Sequence, residues 1–328
     1  MNNTDLVLQK SVTVNNVAAS NGGRMSFNQV TSAVLNNMFD NVTQSELTNG
    51  VTRYRKFFSR NKNASLETAS NSRIWISRRS TGGDYYRIKA GTNTDVQTDA
   101  EGYSNWLGTG YLNAVLAVDS TSFSALFDTN DGVYNGSRIR LSDSSGGEEF
   151  LTVRAAAGVS WNGNIATIHV TSQVRSTYPA SQNSLVSGVV DLGDLVASAD
   201  TWVETSVSGT YDEATYPVVV NNVGSVEDTW TLTFDSPTTF TVTGTNIGSI
   251  GAGGVGSDFS PVNGSVGTGD YYFTISAAGW GGTWAIGETV TFSTHHGAAG
   301  LWAKEIVPAL TGSYTNSQFR VKLYAEGS

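Results

Sequence analysis

Trp161-Asn162-Gly163-Asn164 sits between the apolar-alternating runs Glu149-Phe150-Leu151-Thr152-Val153 and Ile165-Ala166-Thr167-Ile168-His169-Val170. Asn-Gly supplies the positive φ that a type I′ turn demands, and strand-like runs on both sides predict a β-hairpin. The same pattern recurs upstream, where Asn135-Gly136 introduces the strictly alternating Ser137-Arg138-Ile139-Arg140-Leu141. Short β-rich runs at 52–58, 73–77, 85–88, 112–118 and 123–127 come before it. Others follow at 201–207, 217–223, 229–234, 238–243, 271–275 and 289–292. Turn clusters separate the later runs at the spacing of a β-sandwich. Residues 300–307 and 318–324 close the series and would complete a sheet, with Phe319, Val321 and Leu323 facing one way and Arg320 and Lys322 the other.

Helix signals concentrate in the first fifty residues and nearly vanish beyond them. Ser26 and Gln29 have capping-box spacing, and Val30, Val34, Leu35 and Met38 share one helical face, which predicts a helix over 27–39. Thr43 and Glu46 form a second box, for a short turn stopped by Asn49-Gly50. Residues 6–17 read as an edge strand or arm. The chain is therefore expected to be mainly β: an N-terminal α+β segment with one short helix (1–105), a small β-barrel-like module (106–190) and a C-terminal β-sandwich (191–328).

Composition narrows the chemistry. With no cysteine in 328 residues there is no disulfide framework, thiolate nucleophile or Cys-ligated metal site. The first residues lack the basic and apolar regions of a signal peptide, and no run reaches the roughly 18 apolar residues of a membrane span. The expectation is a chain made and kept soluble. Its formal charge of -9 is unevenly spread: residues 1–90 carry 12 Lys/Arg against 5 Asp/Glu, and the remainder 7 against 23. Between Arg175 and Lys304 there is no Lys or Arg at all. Opposed potentials of this kind steer association and fix its register, which points to a homo-oligomer or stacked assembly.

Motifs with catalytic or cofactor meaning find the wrong surroundings. Gly251-Ala252-Gly253-Gly254-Val255-Gly256 matches a dinucleotide fingerprint, but no helix signal follows, so a flexible connecting loop is expected. Asp128 to Gly132 lacks the sixth-position Gly and twelfth-position Glu of a calcium loop and reads as a turn. Asp95, Asp99 and Glu101 read as a solvated acidic loop. His295 and His296 are adjacent, so in a strand they point to opposite faces, and His169 is the remaining histidine. No triad or carboxylate pair stands out by spacing. The reading is no catalytic residues, no metal and no cofactor.

Two residue sets carry the interaction hypotheses. Arg53, Arg55, Lys56, Arg60 and Lys62, continued by Arg78 and Arg79, interleave cations with Tyr54, Phe57 and Phe58. Such a segment suits phosphate contacts, but the acidic whole makes nucleic acid the lesser reading and the acidic surface of a neighbouring subunit the preferred partner. Reversing Arg53, Arg55 and Lys56 to Glu is then expected to block assembly and leave the fold intact. Trp280, Trp284 and Trp302 could stack on host glycans if exposed, whereas burial makes them core residues. A glycan-cleaving enzyme would also need two carboxylates beside such a cleft.

Lys10 to Val14, Asn21 to Ser26 and Val51 to Phe58 resemble the start of virion structural proteins of tailed bacteriophages. The likeness covers about 1–190. Gly110 to Asn113, Ile139 to Ser142 and Gly147 to Val153 look like a small β module of phage tail and baseplate proteins. The resemblance implies a non-enzymatic, multi-copy component of a virion in contact with other structural proteins, in the tail or baseplate. A capsid-decorating protein and a host-glycan-binding tail module are the alternatives.

Overall fold

The computed structural model describes residues 4–181, 183–267, 269–314 and 317–327. The chain is mainly β, with short helices at Gln44–Asn49 and Gln97–Glu101. Its base is built from both ends of the sequence. Leu6–Thr13, Gly22–Gln29, Val51–Asn61, Tyr85–Ala90 and the late strand Ala298–Val307 form a five-stranded antiparallel sheet in which Ala298–Val307 lies between Val51–Asn61 and Tyr85–Ala90. Facing it are Ala69–Arg78, Leu185–Leu195 and Arg320–Gly327, part of a nine-stranded sheet. Phe57, Ile74, Ile76, Ile88, Val190 and Leu301 fill the space between the layers, joined by Phe319, Val321 and Leu323. Strand alternation thus places Phe319, Val321 and Leu323 inward as their spacing predicts. The two closing strands join different sheets and do not pair with each other.

The rest of the nine-stranded sheet curls around a second core of Leu112, Ile139, Leu141, Ile168 and Val186. Val153 and Val170 meet in a single bridge where the curl nearly returns on itself, but no ladder closes it. The expected barrel is therefore an open curled sheet. The hairpin at Gly163 is present, with two corrections. Its first strand is Val159–Asn162, in register Asn162 to Ile165, whereas Glu148–Thr152 pairs with Arg138–Ser142. Gly163 has φ 57° and Asn164 is not among the positive-φ residues, the sign pattern of a type II′ turn, which needs glycine only at its first central position.

Residues 198–295 form a third unit. Ser198–Thr205, Thr289–His295, Asp228–Phe234, Thr239–Gly244 and Gly248–Gly254 make an antiparallel sheet, covered by a two-stranded ribbon (Gly209–Tyr211 with Trp280–Gly282) and irregular segments. Its core is aromatic, with Trp230, Phe234, Phe240, Phe273, Trp284 and Phe292 buried together. The runs at 217–223 and 271–275 contribute isolated bridges and no named strand. Residues 251–254 are an edge strand and not the loop expected. A Cβ on Gly253 would sit 2.6 Å from Phe259 and 2.7 Å from Phe240, so the missing side chain lets both rings cover the strand.

The Thr43 box caps Gln44–Asn49, with the Glu46 N–H donating to Thr43 and the Thr43 N–H to Glu46, and Gly50 ends the helix at φ 77°. The longer helix over 27–39 does not form. Gly22–Gln29 pairs with Leu6–Thr13, and the Ser26 hydroxyl donates to the Lys10 carbonyl 2.9 Å away in place of capping. Past Gln29 the backbone is irregular, with Ala33 and Asn36 at positive φ and Val34 and Leu35 exposed. Buried arginines hold the end of this segment by its carbonyls: Arg55 donates to Met38 O at 3.1 Å and Arg53 to Asp40 O at 2.9 Å.

Candidate functional site

The basic strand Val51–Asn61 lies in the middle of the base, between Leu6–Thr13 and Ala298–Val307. Register alone places Arg53 opposite Glu305, and their side chains meet at 2.5 Å. Tyr86 adds a hydroxyl donor to Glu305 at 2.6 Å. Burial raises the Glu305 carboxyl pKa, and Arg53 and Tyr86 only partly offset it. Lys56 is buried with its ammonium 2.5 Å from Asp95, whose other oxygen accepts from Tyr103 at 2.6 Å and Trp302 at 2.8 Å. Burial works to raise the Asp95 pKa, but Lys56, Tyr103 and Trp302 outweigh it and hold it below the usual carboxylate range. Arg60, also buried, donates to the Gln9 side chain and to the Asn222 and Val223 carbonyls, pinning the base to the third unit.

Arg53, Arg55, Lys56 and Arg60 therefore spend their charge inside the chain. Lys62 and Arg78 are exposed, and Arg79 is half-buried against Asp128. The Asp128 to Gly132 turn supplies a second anchor, since Asp131 binds the buried Arg87 at 2.8 Å. Asp95, Asp99 and Glu101 have separate tasks: the ion pair with Lys56, an N-terminal bond to Val96 N–H and a bond from Gln97. No cluster of three or more potential metal ligands occurs among the described residues.

The tryptophans sit in packing positions. Trp284 is 2% exposed and stacked on Phe234 at 4.2 Å, and Trp302 is fully buried with its indole on Asp95. Trp280 is half-buried among Tyr211, Phe234 and Trp284.

The adjacent histidines occupy the joint where the third unit returns to the base. His295 lies between Glu227 at 2.9 Å and Asp200 at 3.2 Å; burial works to lower its pKa, but the two carboxylates outweigh it and raise it. His296 points the other way into the interior, edge-on to Phe58, and neither ring nitrogen finds a partner on another residue. Burial, with Arg60 and His295 adding to it and Glu227 opposing, pushes its pKa down to about 4. A cleft of about 380 Å³ opens beside this joint, between the edge strand Gly22–Gln29 and the third unit, with Arg24, Phe27, Glu227 and Ile247 in its wall. His296 itself forms part of that wall while remaining 4% exposed, and sequence reasoning, which placed the two rings on opposite faces, gave no sign of this burial.

The open face of the nine-stranded sheet was also missed. Arg73 and Trp75, Arg138 and Arg140, Glu148 and Phe150, and Lys322 come together there from four strands. Arg140 and Lys322 lie 5.3 and 5.8 Å from the Trp75 ring, and Arg73 lies 5.6 Å from Phe150. Alternation in each strand carried the signal, but the strands come from distant parts of the sequence and only their pairing order brings the cations together.

No family model matches the chain, and no curated protein matches it. Among solved structures, the infectious bursal disease virus VP2 subviral particle aligns over 88% of this chain and 84% of its own at 9% identity. The TM-score is 0.12, which establishes no common fold.

Proposed function

We propose that the chain is a non-enzymatic structural component of a virus particle, present in several copies and held by contacts with itself and with other structural proteins. Placement in the tail or baseplate of a tailed phage rests on the sequence resemblance of residues 1–190, with a capsid-decorating role as the alternative. The observation that carries the reading is how the charge is divided once the internal pairs are made. The buried pair of Arg53 with Glu305 joins the two chain ends in one base, and Asp95, paired with Lys56, adds a bond from the Trp302 indole of the late strand. Arg320 and Lys322 remain exposed on it, facing away from the core. The third unit, lacking any Lys or Arg, retains a surplus of carboxylates. Opposed, unspent charge on two parts of a rigid β framework suits repeated assembly.

Burial of Trp284 and Trp302 supports a packing role for them over glycan stacking. Immunogold labelling of intact particles with an antibody to this chain tests the proposal. Label at the tail end supports a tail or baseplate role, and label over the head supports decoration. Particles without label, open to the antibody and free of the chain by immunoblot, overturn the structural role.

A further inference from the structure

We infer that the open face of the nine-stranded sheet docks the acidic third unit of a second copy, so that copies associate head to tail. The inference rests on the structural role proposed above and names the surface that would serve it. Five cations reach this face: Arg73, Arg138, Arg140, Arg320 and Lys322. Asp191 answers Arg73 at 3.5 Å and Arg138 at 3.4 Å, and Glu148 answers Arg140 at 2.7 Å. Arg320 and Lys322 meet no carboxylate in an ion pair among the described residues and are exposed. They alternate with the core residues Phe319, Val321 and Leu323, which fixes them outward.

The face is also ordered before any partner arrives. Trp75, 1% exposed, lies beneath Arg140 and Lys322 and meets Phe150 edge-on at 5.3 Å. Cations held over rings on a paired sheet have already lost much of their rotamer freedom, which lowers the ordering cost of docking. Charge complementarity selects the occupant. Asp212, Glu213 and Asp258 are exposed, lie close enough to Tyr211 to act on its hydroxyl, and make no ion pair among the described residues. No ion pair within the chain joins them to the cationic face among the described residues, so both surfaces remain available to another copy. Two different surfaces in contact make a heterologous interface, which closes into a ring or continues as a stack.

The test is sedimentation velocity of the full chain across a salt series, with Arg320→Glu/Lys322→Glu and Asp212→Lys/Glu213→Lys variants whose folding is checked by circular dichroism. All four positions are exposed, so the fold should survive. Wild type should associate at low salt and dissociate as salt rises. Each reversal should weaken association more than about a hundredfold, since like charges set against each other cost several kcal/mol. Mixing the two variants should restore it, because the reversed face of one then meets the reversed unit of the other. A wild-type chain that stays monomeric at every salt, association indifferent to both reversals, or no rescue on mixing would overturn the inference. So would binding of a DNA oligonucleotide by the same face without self-association. Any of these outcomes leaves the structural role standing if the chain is found in particles; its absence from particles removes that role even if the purified chain associates.

Discussion

His296→Leu should make the protein more resistant to acid. In the native chain His296 is enclosed near Phe58 and Arg60 with Glu227 and His295 close by, and Asp270 acts on Arg60. Its folded pKa of about 4 lies below the ordinary 6.5, so as pH falls the unfolded chain takes up the proton first. Stability from this group is therefore whole above the unfolded pKa and drains away between about pH 6.5 and 4. The difference between the two values predicts a loss of about 2 kcal/mol by pH 5 and about 3 kcal/mol by pH 4. Leu removes that loss. At pH 7 it removes a ring with no hydrogen-bond partner, so the change there should stay within about 1 kcal/mol. Urea unfolding of both proteins at pH 7 and pH 5 gives the quantity directly. The variant should gain about 2 kcal/mol relative to wild type between those two pH values. A difference that does not change with pH would refute the assignment of a buried, neutral imidazole. His295 works in the opposite sense: with its pKa raised, its contribution is present below 6.5 and lost as pH rises through the folded value.

Other expectations follow from the same geometry. Lys56→Met alone should destabilise by about 3–5 kcal/mol, because it strands the Asp95 carboxylate beside Trp302, and chemical denaturation of Lys56→Met/Asp95→Leu should recover part of that loss. Reversing Arg53, Arg55 and Lys56 to Glu should unfold the isolated chain, since all three are buried, and a native circular dichroism spectrum would contradict this. Gly300→Ala would place a Cβ 2.1 Å from the Thr92 carbonyl in the middle of the base sheet, and thermal unfolding should report a loss of about 1–3 kcal/mol. Val34→Ser/Leu35→Ser should change stability by less than about 0.5 kcal/mol per site in urea titrations, since both side chains are exposed, whereas a helix packed through that face would lose several times more.

What the sequence made legible was local. Alternation found the Arg138–Ser142 strand and the inward row Phe319, Val321 and Leu323; Asn-Gly found the hairpin at Gly163; and the Thr43–Glu46 box found the one helix it was placed on. Misreadings arose where distant chain overrode local pattern. Ser26 and Gln29 have capping spacing, but Gly22–Gln29 pairs with Leu6–Thr13 and so carries both residues into a strand, where the Ser26 hydroxyl donates to the Lys10 carbonyl. The charge blocks were visible in composition, but which charges remain at the surface was not. That depends on register: Glu305 lies 252 positions from Arg53 in sequence and directly opposite it in the sheet. The joint at His295 and His296 depends in the same way on where the third unit rejoins the base.

Quantitative mass spectrometry of gradient-purified, nuclease-treated particles tests the central claim most directly. The account predicts this chain at a fixed multiple of copies per particle, in constant ratio to the other structural proteins across preparations. Absence from intact particles, or an amount that varies freely between preparations, would contradict it.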